Sequence, residues 1–330
     1  MNLIGHADTK EQVKAALSSA KFRNKALPHM LFAGSAGCGK TSMAKEVAFA
    51  ANVSFITATA DDLKDEKSVK TVLKELDTGN YDRFGCRTGN IRPSILFLDE
   101  IHQLPLKGQE VLGIAMEEFK INSKKTSKFY WLPYFTLVGA TTDDGILSKP
   151  FRDRFKLRFI FEPYSFEEIT TIILYHAGNK DITISPKAAR VIAQRSRGVP
   201  RISISYLENS RDYAISKVGI PMITSQIAEA TFRKLGIDNE GLTKVELKIL
   251  EALHNSEAPL GLDNLSIIVN ENQKTLMGSA EPFLIQKGLI TRSGRGRSIT
   301  LDGISYLEKN GILGKREISR VDIDADFVRT

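Results

Sequence analysis

The sequence predicts an α/β domain, built on a parallel sheet with helices on both faces, followed by a small helical domain and a C-terminal winged-helix domain. SILFLDE at 94–100 and YFTLVGATT at 134–142 are continuous apolar runs, as in strands of a sheet that helices cover on both sides. GSAGCGKTS at 34–42 is a glycine-rich segment followed by a helical pattern. Buried strands and a glycine loop before a helix indicate a doubly wound domain.

The first domain is predicted to span residues 1–164. After the glycine loop, Met43, Val47 and Ala51 recur at the spacing of one helix face. VSFITATA at 53–60 has the composition of a third strand. Strand, glycine loop, helix and strand in this order form the context in which such a loop binds phosphate.

The second domain is predicted to span 165–237 and to be wholly helical. Ser165 and Glu168 have the spacing of a capping box. Pro186 suits the first turn of a helix. Four helices are predicted, at 165–178, 185–196, 200–218 and 224–235.

The third domain is predicted to span 238–314. KGLITRSGRGRSITLD at 287–302 has the pattern of two strands around a basic, glycine-rich turn. Three helices before a hairpin give the order of a winged helix, and they are predicted near 243–254, 261–269 and 272–286. Residues 315–330 are predicted to form a charged tail.

The composition is that of a globular protein, with 42% hydrophobic and 26% charged residues. No apolar run approaches the roughly 20 residues that a membrane-spanning helix needs. The N-terminus lacks the features of a signal peptide, and we expect a cytoplasmic protein. The net charge of +7 favours a polyanionic partner, although a basic, solvated surface would give the same total.

The segment 34–41 fits the pattern GxxxxGK[ST] at every fixed position. Small residues let backbone N–H groups turn towards phosphates, while Lys40 would reach the β- and γ-phosphates and Thr41 would bind Mg²⁺. ATP and Mg²⁺ are therefore the predicted cofactors. The predicted phosphate-binding residues are Gly34, Gly37, Cys38, Gly39, Lys40, Thr41 and Ser42.

Asp99 and Glu100 end an apolar strand, so their carboxylates would emerge at the edge of the sheet where ligands bind in such folds. Asp99 would hold Mg²⁺. Glu100 would orient and deprotonate the attacking water. The guanine-reading NKxD motif is absent from the sequence, which favours ATP over GTP.

Thr141 and Thr142 end the next buried strand, where a hydroxyl would contact the γ-phosphate or the attacking water. LSKPFRDRF at 147–155 then supplies two arginines. An arginine in a phosphoryl-transfer site stabilises the charge of the transition state. The alternative for these arginines is an exposed side chain paired with Asp153.

Arg292, Arg295 and Arg297 alternate with small residues in the predicted hairpin. Glycines keep such a turn slim, and arginines bind phosphate oxygens. We therefore predict sequence-independent binding to the phosphate backbone of a nucleic acid, with Lys274 and Lys287 as further contributors. The alternative is a solvated basic hairpin.

Several segments together resemble the AAA+ ATPases and, within them, the RuvB family of Holliday-junction branch-migration motors. The resemblance covers roughly residues 3–310. The matching segments are GSAGCGKT (34–41), LDEIH (98–102), FTLVGATT (135–142), PFRDRF (150–155), RGVPRI (197–202) and EPFLIQKGLITRSGRGR (281–297).

The resemblance implies a role for each matching residue. Thr142, with Thr141 as the alternative, would be the first sensor. Arg154, with Arg152 as the alternative, would be a finger that reaches the neighbouring subunit's site. Arg201 would be the second sensor. It also implies a large ATPase domain with a helical lid, and a homo-hexamer that encircles double-stranded DNA and drives branch migration in recombination and repair.

The chain departs from the family in three places. LIGH at 3–6 lies nearly at the start, so part of the family's adenine-contacting arm is predicted to be absent or replaced; Ile4 is predicted to bind the nucleotide. Residues 78–93 form an insertion to which we assign no role. NSKKTSKFYWLP at 122–133 replaces a longer hairpin that docks RuvA in the family, which puts a RuvA-like partner in doubt. Its aromatic residues 129–131 would either dock a partner or pack under the sheet.

Two other functions compete with a branch-migration motor. One is a clamp-loader-like or initiator-like ATP switch that assembles other proteins on DNA. Clamp loaders carry SRC at the finger position, whereas this chain has FRDRF and a winged-helix end. The other is a DNA-binding regulator that uses ATP only for its own assembly.

Overall fold

A computed structural model describes residues 3–63, 65–76, 80–81, 87–88, 93–122 and 129–312. The chain divides into two compact units, Met1–Ala228 and Glu229–Thr330. Every helix in the described part of the chain is too short or too polar to cross a membrane. The predicted tail lies outside the described residues, as does most of the predicted insertion.

The first part of the first unit alternates helices and strands, as predicted. Its elements are α1 (Ala7–Arg23), β1 (Met30–Gly34), α2 (Lys40–Ala51), β2 (Ser54–Thr59), α3 (Glu66–Glu75), β3 (Asn80–Tyr81), β4 (Arg87–Thr88), β5 (Ser94–Asp99), α4 (Leu106–Glu118), β6 (Lys120–Asn122), β7 (Phe129–Trp131), β8 (Phe135–Thr141), α5 (Lys149–Arg152) and β9 (Leu157–Phe161).

Five of these strands form one parallel sheet in the order β2-β5-β8-β1-β9. The strands predicted from apolar runs are β2, β5 and β8, and the helix predicted after the glycine loop is α2. β3 pairs with β4, and β6 with β7, as short antiparallel ribbons. The predicted parallel sheet is therefore confirmed.

The sheet carries an apolar core on each face because successive strand residues point to opposite sides. Met30 and Phe32 of β1 pack with Val47 of α2 and its neighbours in one core. Leu31 packs with Leu112 of α4 in the other core. Helices therefore cover both faces, which explains the unbroken apolar runs of β5 and β8.

The strand order decides where the polar residues meet. β5, β8 and β1 are neighbours in the sheet, and Leu98 pairs with Gly139 while Ala33 pairs with Thr141. Because these strands are parallel, their carboxyl ends share one edge. The glycine loop after β1, the acidic pair at the end of β5 and the threonines at the end of β8 thus converge.

The rest of the first unit is largely helical. Ser165 and Glu168 form the predicted capping box, in which the Ser165 N–H donates to Oε2 of Glu168 at 2.8 Å. A short parallel pair, β10 with β11, makes the prediction of a wholly helical region wrong. The elements are α6 (Phe166–Asn179), β10 (Thr183–Ile184), α7 (Pro186–Arg195), α8 (Pro200–Val218), β11 (Met222–Ile223) and α9 (Ser225–Leu235), which contains the boundary between the units.

The second unit has the helix and hairpin order predicted for a winged helix. A π-helical segment, Leu276–Ala280, interrupts the helix predicted at 272–286. A final helix after the hairpin was not predicted. The elements are α10 (Lys244–His254), α11 (Leu262–Val269), α12 (Gln273–Thr275), α13 (Glu281–Gln286), β12 (Ile290–Ser293), β13 (Gly296–Ile299) and α14 (Leu301–Lys309).

Candidate active site

The loop between β1 and α2 has a backbone that only glycine adopts readily. Gly34, Gly37 and Gly39 have φ values of 150°, 84° and 90°. A Cβ at residue 37 would lie 2.8 Å from Cβ of Arg201, and one at residue 39 would lie 2.7 Å from the hydroxyl of Tyr164. The glycines are therefore required both by conformation and by close packing.

Lys40 is the first residue of α2, and its side chain contacts this loop. Its Nζ donates to the carbonyl oxygens of Gly34 at 2.7 Å and Ser35 at 3.0 Å, and the residue is 6% exposed. Burial of the ammonium, opposed by the charge of nearby Glu100, lowers the pKa of Lys40 from its ordinary value. A phosphate oxygen would give this ammonium the full negative charge that two carbonyls lack.

A cleft of about 770 Å³ opens beside the loop. Its volume lies in the range usual for small-molecule sites. Gly34 and Cys38 belong to the glycine-rich segment but do not line the cleft. The predicted residues that line the cleft are Ile4, Gly37, Gly39, Lys40, Thr41, Ser42, Asp99, Glu100 and Arg201.

The acidic pair follows the end of β5. Oδ1 of Asp99 accepts the Glu100 N–H at 3.1 Å, and Glu100 has a left-handed backbone with φ of 47°. The Thr142 hydroxyl donates to Oε2 of Glu100 at 3.1 Å. Thr141 is fully buried, and its oxygen accepts the Asp143 N–H at 2.9 Å. These contacts favour Thr142 over Thr141 as the residue that acts beside Glu100.

The residues at the base of the cleft fit a magnesium ion bound together with a nucleotide. The Thr41 hydroxyl and the Asp99 carboxylate both line the cleft, and oxygen ligands are those that Mg²⁺ prefers. Among the described residues, no group of three or more His, Cys, Asp or Glu side chains forms a metal site of its own. Water and phosphate oxygens would complete the coordination, as is usual for Mg²⁺.

The wall of the cleft opposite the loop was missed by the sequence analysis. Ile172 and Tyr175 of α6 and Pro200 and Ile204 of α8 line it. The sequence carried no signal that these helices border a ligand. An apolar and aromatic wall at this position suits a purine base.

His6 and Tyr164 brace the loop from behind, and neither was predicted. Nε2 of His6 donates to the Cys38 carbonyl at 3.2 Å, and the ring packs 4.5 Å from that of Tyr164 and 4.6 Å from that of Phe161. Burial lowers the pKa of His6 and raises that of Tyr164, which favours the neutral form of both. The first residues of the chain thus hold the glycine loop in place.

Arg154 lies apart from the residues that line the cleft of its own chain. Its Nε is 3.2 Å from Oε1 of Glu117, and one of its terminal nitrogens donates to the Pro150 carbonyl at 2.7 Å. Asp153 pairs instead with Arg158 at 3.0 Å, so the alternative of pairing with Asp153 is wrong for Arg154. Its own chain therefore does not bring Arg154 to the cleft.

The hairpin of the second unit exposes two of the three predicted DNA-binding arginines. Arg292 has a side chain that is 54% exposed, although its Nη1 lies 3.6 Å from Oε1 of Glu281, and Arg295 is exposed at the turn. Arg297 is 7% exposed, and its Nε and one terminal nitrogen lie 3.2 and 3.0 Å from the two carboxylate oxygens of Glu281. The expectation that Arg297 contacts DNA is corrected, because its guanidinium is buried and paired.

Two further basic or aromatic predictions are also modified. Lys287 pairs with Glu240 at 3.0 Å, which reduces the free charge that it offers to DNA. Trp131 at the end of β7 is 68% exposed, so it does not pack under the sheet. The side chains of residues 129 and 130 lie outside the described part of the structure.

Comparison with known proteins gives consistent matches along the chain. Family models match residues 1–160 as the Holliday junction DNA helicase RuvB P-loop domain, 164–238 as the RuvB AAA lid domain and 239–308 as the RuvB C-terminal winged helix domain. The domain bounds that the sequence predicts, 1–164, 165–237 and 238–314, stay a prediction.

Individual relatives match over nearly the whole chain. Two curated proteins, from Wolbachia sp. subsp. Drosophila simulans and Streptococcus thermophilus, are each named Holliday junction branch migration complex subunit RuvB. Each is 36% identical; the matches cover 93% and 92% of this chain and 92% and 89% of the relatives. The solved Thermotoga maritima RuvB Holliday junction branch migration motor is 33% identical, with a TM-score of 0.77 over 92% of this chain and 95% of that one.

Proposed function

This chain belongs to the RuvB family, and on that premise we propose that it forms a ring that uses ATP hydrolysis to move Holliday junctions along duplex DNA. It is a RuvB-type ATPase with a P-loop domain, a lid and a winged helix. The main support for the proposal is that one cleft is lined by Lys40, Asp99, Glu100 and Arg201.

Each residue of the cleft has a distinct part in hydrolysis. The loop amides and Lys40 hold the β- and γ-phosphates, and Arg201 adds positive charge from the lid side. Glu100 accepts the proton of the attacking water, while Thr142 steadies its carboxylate through the 3.1 Å contact. Thr41 and Asp99 hold Mg²⁺, which when bound neutralises charge on the phosphates.

Arg154 completes the site of the adjacent subunit in this proposal. Its place outside the cleft of its own chain supports that role. An arginine supplied in trans stabilises the transition state by a factor of about 10³–10⁵ in phosphoryl-transfer enzymes. A site that two subunits share requires an assembly, and a homo-hexamer is the form we propose.

The winged helix is the DNA contact in this proposal. Arg292 and Arg295 are exposed on a hairpin with slim, glycine-containing turns, which suits contacts with the phosphate backbone at any sequence. The curated relatives are named as subunits of a complex, and we propose a RuvA-like second component here. We place the activity in DNA recombination and repair in the cytoplasm.

A synthetic four-way junction tests this function. With ATP and Mg²⁺, the assembled protein, alone or with RuvA, should convert a labelled junction into two duplex products, and the Glu100→Gln variant should not. Electron microscopy with ATPγS should show six-membered rings on duplex arms. Steady ATP hydrolysis without any junction migration under either condition would contradict the motor function.

A further inference from the structure

The turn that follows β5 is held firmly against β8. Ile101 is fully buried, and a Cβ at Gly139 of β8 would lie 2.7 Å from its Cδ1. The Gln103 N–H donates to the Glu100 carbonyl at 2.9 Å, which closes the short helical turn Ile101–Gln103. Because the glycine admits the isoleucine so closely, the residues beside Ile101 have a fixed place relative to the end of β8.

His102 lies in this turn and contacts two residues of the site. Its Nδ1 is 3.2 Å from Oε2 of Glu100 and 3.0 Å from Oγ1 of Thr141. Thr141 is itself fixed, because its oxygen accepts the Asp143 N–H at 2.9 Å. The ring thus hydrogen-bonds to Thr141 at the end of β8, and the same nitrogen lies 3.2 Å from the Glu100 carboxylate at the end of β5.

The same carboxylate oxygen of Glu100 is contacted from a second direction. The Thr142 hydroxyl donates to Oε2 at 3.1 Å. The Thr142 hydroxyl and the His102 ring thus both lie beside this oxygen, which restricts the positions that the carboxylate can take. Glu100 itself has a left-handed backbone conformation, which is strained for a residue other than glycine.

We propose that His102 is a positioning residue for ATP hydrolysis, which orients the Glu100 carboxylate and ties it to the end of β8. The inference rests on the proposed role of Glu100 as the base. A general base must lie within hydrogen-bond distance of the water that it deprotonates. A misplacement of about 1 Å costs on the order of 10²-fold in rate, so a residue that never touches substrate still controls turnover.

Steady-state ATPase measurements on the assembled, DNA-bound protein test this role. His102→Ala should lower kcat by about 10- to 100-fold while KM for ATP stays unchanged, because the lost contact acts on the base and not on nucleotide binding. His102→Asn should recover most of kcat, since its amide nitrogen can occupy the place of Nδ1. His254→Ala, in α10, is the matched control and should retain the parent rate.

A double-mutant cycle between His102 and Thr142 is the second test of this role. His102 and Thr142 act on the same oxygen, so the effects of His102→Ala and Thr142→Ala should not add. The inference is overturned by an unchanged kcat in His102→Ala, by a His102→Asn variant as slow as His102→Ala, or by equal losses of kcat and ATP affinity. If His102→Ala melts at a lower temperature than the parent, its lower kcat could reflect unfolding. The recovery of kcat in His102→Asn then decides whether His102 positions Glu100.

The Glu100→Gln variant separates this inference from the proposed function. If Glu100→Gln is inactive and His102→Ala is fully active, only the positioning role of His102 fails. If Glu100→Gln hydrolyses ATP at the parent rate, both the positioning role of His102 and the proposed function of the cleft fail.

Discussion

Nε of Arg154 lies 3.2 Å from Oε1 of Glu117 in the same chain, while other side chains line the nucleotide cleft of that chain. The two side chains are 24% and 57% exposed. An ion pair at the surface contributes only about 0–1 kcal/mol. The proposed role in a neighbouring subunit's site requires the guanidinium to exchange Glu117 for a phosphate, and a weak ion pair favours that exchange.

Two substitutions in the cleft should separate ATP binding from hydrolysis. Lys40→Ala should abolish ATP binding, because it removes the ammonium that faces the phosphates. Glu100→Gln should still bind ATP but lose turnover by about 10²–10⁴-fold, because it removes the base. Binding of a fluorescent ATP analogue and phosphate release measure the two effects, with Lys187→Ala on α7 as the control. Equal loss of binding in both variants would contradict this division.

A methyl group at Gly39 should disable the loop. Gly39 has φ of 90°, and an added Cβ would lie 2.7 Å from the Tyr164 hydroxyl. Gly39→Ala therefore strains the backbone and displaces Tyr164, and ATP affinity should fall. Isothermal titration with ATPγS measures it. Gly219→Ala is a matched control, because Gly219 has a similar φ of 77° at the end of α8 and nothing within 4 Å of its Cβ position. Similar ATP affinities for the two variants would show that strain at residue 39 has no effect on the site.

Two arginines of the hairpin should behave differently. Arg295→Ala should weaken binding to all duplexes alike and reduce the slope of log affinity against log salt by about 1, because it removes one phosphate contact. Arg297→Ala should instead destabilise the winged helix by about 3 kcal/mol, because it leaves the buried Glu281 carboxylate with only the half-exposed Arg292, 3.6 Å away. Fluorescence anisotropy across salt concentrations and thermal unfolding distinguish them. An Arg297→Ala variant that melts like the parent but loses DNA affinity would contradict the buried arrangement.

Stability should decrease in acid because of buried histidines. His29 accepts the Leu137 N–H at Nδ1 at 2.8 Å and donates from Nε2 to the Met116 carbonyl at 3.0 Å, which requires the neutral ring. Burial lowers the pKa of His29 below 6.5, its ordinary value, so the unfolded chain binds more protons. Its contribution is thus full above pH 6.5 and is lost as the pH falls towards the folded pKa.

Urea unfolding on either side of pH 6.5 measures this effect. His29→Gln offers a donor and an acceptor without a titrating ring, so it should show a weaker pH dependence than the parent. The pKa values of His6 and His176 shift in the same direction, so these histidines should add to the pH dependence. A pH dependence that is identical in the parent and in His29→Gln would contradict the assignment.

Features set by local pattern were predicted correctly from the sequence. The glycine loop, the capping box of Ser165 and Glu168 and the apolar strands each depend on residues close together in the chain. The hairpin was found in the same way, because its turn residues are contiguous. The short pair β10–β11 was not found, since each strand has only two residues and neither is distinguished by its composition.

Features set by distant contacts could not be predicted. His6 reaches Cys38 across 32 positions, and nothing in LIGH marks that histidine as a brace for the loop. Arg292 and Arg297 have the same charge and similar neighbours in the sequence. Arg297 forms a buried ion pair because α13 places Glu281 beside it, whereas the side chain of Arg292 stays half exposed.

Mixing two inactive variants tests most directly whether neighbouring subunits share the active site. Lys40→Ala lacks a working nucleotide site but keeps Arg154, whereas Arg154→Ala keeps the nucleotide site but lacks the finger. Each alone, assembled on DNA, should hydrolyse ATP at a background rate. The mixture should recover ATP turnover, because an intact Arg154 then lies beside an intact cleft in some neighbouring pairs. A mixture as inactive as its two components, or an Arg154→Ala variant with the parent rate, would contradict a site completed in trans.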